Sequence, residues 1–157
     1  MSPRSSKSPR ISKSEGWKPD DSVIEGRIGA ERVRAALKKH GIAVERKVIT
    51  SRDPGMDEVR NELRRPDMPP GFHQWQLPIV MEGPAFFFLT VAEPGAVVPR
   101  HAHKRDLFRM VLSGSMHING RELMVGDWMY VPSGTSYSYG AGLNPGLITF
   151  HCYAKKA

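Results

Sequence analysis

The chain has 157 residues, 39% of them hydrophobic, a single cysteine and a formal net charge of +7. That length suits one folded domain with tails, and the lone Cys152 excludes an intrachain disulfide scaffold, so the chain reads as an intracellular, cytoplasmic protein. No apolar run approaches the ~20 residues that span a bilayer, and no membrane partner is expected.

Arg4, Lys7, Arg10 and Lys13 carry four of the seven net charges. Their Ser- and Pro-rich surroundings lack the apolar residues needed to offset ordering, so residues 1–20 are expected to form a disordered basic tail. The tail lacks the apolar centre of a secretory signal, and Pro3 and Pro9 oppose an amphipathic presequence helix. Nucleic-acid binding through it would be purely electrostatic, and with no helix-turn-helix pattern beside it nucleic acid is not an expected partner.

Residues 21–66 read as a helical and extended N-terminal extension. Val33 and Leu37, one turn apart, predict a helix over Ile28 to His40, with Gly41 placed to end it. Ile42 to Thr50, apolar at both ends around a charged centre, suits a strand or edge segment. Asp53-Pro54-Gly55 is turn chemistry, and Val59 and Leu63 predict a second helix over Met56 to Arg65, a surface helix covering one end of a sheet, stopped by Pro66. Pro66, Pro69 and Pro70 mark a rigid connector and the domain boundary.

Residues 67–157 have a different texture, with short apolar runs between turn residues. Strands are predicted over Trp75–Met81, Phe86–Val91, Val97–His103, Leu107–Leu112, Met116–Ile118, Glu122–Val125, Trp128–Val131, Ser136–Tyr139 and Leu147–Tyr153, with a tight hairpin at Asn119-Gly120. The apolar run around Phe86–Val91 has the length of a buried strand. So many short strands argue for a sandwich or barrel.

The chemistry concentrates at His101 and His103. On an extended strand they project from one face, where two imidazoles can close on a transition metal or line a small-molecule pocket. Cys152 has no neighbouring charge pattern to activate it and reads as a small buried hydrophobe. His117 alternates against Met116 and Ile118 and should face solvent or a partner subunit. His40 closes a helix, and nothing in its spacing ties His73 to the pair.

The spacing of these residues resembles the cupin family. Gly95, His101, His103 and Gly114 fit its first motif, and Gly126, Pro132 and Gly134 fit its second. The resemblance spans residues from about 72 to 153 and implies an all-β, cupin-type jelly-roll β-barrel, here with a short N-terminal helical extension and a disordered tail. It also implies homodimers. Two ligand positions depart from the family pattern: Leu107 stands at the metal-binding Glu and Tyr137 at the second-motif His, while Ala141 replaces the Asn. Tyr137 should therefore point into the barrel. Asp106, one residue early, and His151, facing inward with Leu147 and Thr149, are the other groups that could repair the ligand set.

If Leu107 faces inward, alternation turns Arg109 and Val111 inward and Phe108, Met110 and Leu112 outward. An inward Arg must be paired, either with Glu93, Asp106 or Glu122, or with the carboxylate or phosphate of a ligand. The resemblance thus implies a pocket enzyme acting on a small anionic or hydroxylated molecule. His101 and His103 would hold a divalent transition metal (iron, manganese, nickel or zinc), Tyr137 would complete that site or act as acid/base, and Arg109 would orient the substrate. The alternative is a metal-free or weakly metal-binding cupin that uses the same pocket to bind a small ligand as a sensor or accessory protein.

Overall fold

The computed structural model describes residues 26–44, 47–66, 68 and 73–155. The basic tail and the 69–71 part of the proline connector lie outside them. Among the described residues are two helices, α1 (Gly26–Lys39) and α2 (Met56–Glu62), and nine strands: β1 (Ile49–Thr50), β2 (Pro84–Ala92), β3 (Val97–His101), β4 (Leu107–Gly114), β5 (Met116–Ile118), β6 (Arg121–Leu123), β7 (Trp128–Val131), β8 (Tyr137–Ala141) and β9 (Leu147–Ala154). They form a five-stranded sheet, β1-β7-β4-β9-β2, and a four-stranded sheet, β3-β8-β5-β6, every ladder antiparallel. This two-sheet order is an all-β jelly roll of cupin type. No ladder among the described residues joins the sheets, so they form a sandwich rather than a closed barrel.

Two cores share the five-stranded sheet, and the period of two along β4 and β7 divides them. Leu107 and Val111 face inward with Met129 and Val131 and meet Met116, Ile118, Leu123, Tyr137 and Tyr139 of the other sheet. On the outer side, Phe108 and Met110 lie with Trp128 and Tyr130 against Val33, Leu37, Met56, Val59 and Leu63 of the helical segment. α1 buries Gly29, Val33, Ala36 and Leu37, a stripe with helical spacing. It ends in a Schellman motif: Ile42 N–H donates to the Leu37 carbonyl (2.9 Å) and Gly41 N–H to that of Lys38 (3.2 Å), with Gly41 at φ 70°.

Three local expectations change. Of the segment Ile42 to Thr50, among its described residues only Ile49–Thr50 pairs, with Tyr130 and Met129. Trp75 to Met81 is not a strand: Trp75 makes one isolated bridge to Arg64, and Pro78 removes a ladder donor. The run Phe86 to Val91 is a strand but not a buried one. It lies at the sheet edge, away from the helices, and leaves Phe86 60%, Phe87 60%, Phe88 47%, Leu89 66% and Val91 70% exposed.

Gly114 is fixed by contact as well as conformation. At φ 75° its would-be Cβ lies 1.9 Å from the Gly146 carbonyl oxygen. Gly114→Ala is expected to cost about 3 kcal/mol or more in urea unfolding. Gly126→Ala, at φ 87° but in open space, should cost only roughly 1–2 kcal/mol for its left-handed backbone. Equal losses would show that the close approach is unimportant.

Candidate functional site

The two motif turns are sewn together at the mouth of the sandwich. Gly134 N–H donates to the His103 carbonyl (2.8 Å), and Ser133 N–H to Asp106 Oδ1 (2.7 Å). Asp106 also accepts the Tyr130 hydroxyl at 2.6 Å. Its carboxylate is thus engaged with Tyr130 of the helix-facing side and with the Ser133 turn, in the role of a turn residue.

His101 and His103 meet, with ring centroids 4.9 Å apart, as two residues on one face of an extended segment should. Pairing of β3 with β8 shifts between Val98 and His101, where Pro99 has no N–H to donate, and β3 ends at His101. His101 Nδ1 donates to the Pro99 carbonyl (2.7 Å), which leaves Nε2 as the acceptor. Tyr137, 1% exposed, points inward as expected; its hydroxyl lies 3.2 Å from His103 Nε2 and its ring 4.6 Å from that of His101. Burial pushes its phenol up to about 12, so the hydroxyl stays protonated.

Arg109 faces inward on β4, flanked in register by Met129 and His151 and 4% exposed. Its guanidinium carbon lies 4.7 Å over the Tyr139 ring, while Nε and Nη1 are buried without a hydrogen-bond partner. Two residues on the inner face of β9, Thr149 and His151, likewise bury Oγ1 and Nδ1 without partners. Burial, with Arg109 and His103 adding to it, lowers His151 to about 4. His103 is lowered by burial first, then by His101 and Arg109.

The aromatic wall was only partly legible. Tyr153 contacts both His103 (5.1 Å between centroids) and His151 (5.5 Å), and Phe88 stacks on His151 at 5.2 Å. Counting two residues on from His151 finds Tyr153, but Phe88 enters through the pairing of β2 with β9, which leaves no local sequence signal. His73 lies elsewhere, 2.9 Å from Arg64 Nη2, His117 is exposed, and Cys152 is buried with its thiol pushed up by burial. Clefts around Trp75 border the helices, where Arg52 and Asp127 already pair at 2.8 Å.

The donor set does not fit a resident divalent metal. No group of three or more His, Cys, Asp or Glu residues converges among the described residues. His101 and His103 are supplemented by a phenol held neutral rather than by a carboxylate, and the buried Arg109 adds a positive charge beside them. The arrangement suits an anion.

The fold and site define a cupin-type jelly roll whose usual ligand positions are altered. No family model matches the sequence, and no curated protein matches it. Among solved structures, the chain is similar to a Ralstonia eutropha protein of unknown function with a cupin-like fold (18% identity, 44% of this chain and 43% of that one, TM-score 0.36). It is also similar to a Bacteroides fragilis cupin (25%, 45% and 65%, TM-score 0.40) and to KdgF from Halomonas sp. (24%, 49% and 76%, TM-score 0.40). The matched part spans less than two thirds of the first two proteins.

Two measurements check the site. Elemental mass spectrometry of untagged protein purified without chelator should find no near-stoichiometric iron, manganese, nickel or zinc. A stoichiometric metal that disappears in His101→Ala/His103→Ala would reverse the assignment. Acid stability checks His151. Its folded pKa, about 4, lies below the ordinary 6.5, so between those values the unfolded chain binds a proton that the folded chain refuses. This contribution is complete above pH 6.5 and is lost as pH falls toward 4. Tm should fall over that window, and less steeply in His151→Gln. Unchanged slopes would remove His151 from the account.

Proposed function

We propose that the jelly-roll domain, residues 67–157, binds a small anionic ligand between its sheets without a metal, and that residues 21–66 are an extension that backs the sheet. Arg109 is the anion's partner. His101, His103 and Tyr137 supply hydrogen bonds, with Tyr137 as a donor. One observation carries this reading: a guanidinium 4% exposed keeps Nε and Nη1 without a partner. A buried unpaired charge costs several kcal/mol, and a carboxylate or phosphate offers two oxygens to such a fork.

The reading separates stability from binding. In the absence of anion, Arg109→Met should be about 1–4 kcal/mol more stable than the wild type, because an uncompensated charge is replaced by an apolar side chain of similar length. Acetate, succinate or inorganic phosphate should raise the wild-type Tm and leave that of Arg109→Met unmoved. Calorimetric titration of both proteins provides the second readout. A less stable Arg109→Met, with the same anion response as the wild type, would defeat the proposal.

A further inference from the structure

The entrance to the site differs in character from its interior. Phe86 and Phe88 pair in register with Tyr153 and His151, so both rings belong to the inward side of β2. They nevertheless remain 60% and 47% exposed, because β2 is the last strand of its sheet. With His103, Lys104, Arg105 and Tyr153 they line a concavity of about 270 Å³. A cavity of roughly 150 Å³ already accommodates one benzene ring. Tyr153 is one layer of rings from the polar stripe: it meets His151 at 5.5 Å between centroids, and His151 is the register neighbour of Arg109. An apolar, aromatic concavity therefore lies one layer of rings from a buried cation.

Resting on the anion-binding reading above, we propose that the ligand is an amphipathic carboxylate. Its flat apolar body lies on Phe86 and Phe88, and its carboxylate reaches past His103 and Tyr153 to Arg109. Lys104 and Arg105 draw the anion to the mouth and make no demand on its shape. A small hydrophilic anion satisfies the head-group site and leaves both phenylalanine rings in water. A longer acid with a planar body covers them, which favours it by on the order of ten- to a hundredfold in affinity.

Calorimetric titration of the full chain with acetate, succinate, 3-phenylpropanoate and uncharged 3-phenylpropanamide tests this. The phenylpropanoate should bind on the order of ten- to a hundredfold more tightly than acetate, and the amide should not bind. Phe86→Ser, made at an exposed position and checked for an unchanged circular dichroism spectrum, should reduce the preference for the phenyl acid over acetate. Arg109→Met should abolish binding of every acid. Equal, Arg109-dependent affinities for acetate and phenylpropanoate would overturn the amphipathic proposal and leave the anion reading standing. Phenylpropanoate binding that survives Arg109→Met, or matching affinities for acid and amide, would overturn the head-group assignment. Failure of every anion to bind would remove both readings together.

Discussion

The antiparallel register of β4 between β7 and β9 is the constraint on which the other features depend. Because side chains alternate, one register sends Leu107, Arg109 and Val111 into the sandwich and Phe108 and Met110 toward the helices. A slip of one residue would turn the guanidinium outward and bring Phe108 and Met110 inward. Two apolar clusters, one on each side of the same strands, oppose that slip. Packing thus holds the charge in place, and no counter-ion pairs with it among the described residues.

The same economy sets a histidine pair characteristic of metal chemistry beside a buried guanidinium. Leu107 removes the carboxylate that would neutralise a cation, and Tyr137 replaces a ligand imidazole with a phenol that burial keeps protonated. Arg109 then provides positive charge from within the fold. Electrostatically, an arginine anchored on a strand substitutes for a bound ion. It differs in being unable to dissociate, so its desolvation burdens the empty protein.

Much of this was legible in sequence because it is local. The turn residues bounded the strands, the two spaced motifs indicated the fold, and alternation from Leu107 and Leu147 placed Arg109, Thr149 and His151 inward. What escaped depends on contacts between distant segments. Hydrophobicity alone made Phe86–Val91 look buried, but exposure is decided by strand order, and β2 falls at the edge. The two-residue period brought His101 and His103 together, but the shift at Pro99 that sets His101 opposite Tyr137 and the bond from Gly134 to His103 do not follow from it. Pro78 was visible within the Trp75–Met81 run, yet the apolar pattern around it suggested a strand.

The bond between Tyr130 and Asp106 has a mechanical consequence. The Tyr130 ring belongs to the core beneath the helices, while its hydroxyl holds the carboxylate that also anchors the Ser133 turn. Asp106 lies three residues beyond His103, and Gly134, next to Ser133, grips the His103 carbonyl. The helical extension therefore works as a splint, setting the loops at the far side of its supporting sheet. Tyr130, packed under α1 and α2, is thereby tied through one carboxylate to the turns that border the candidate site.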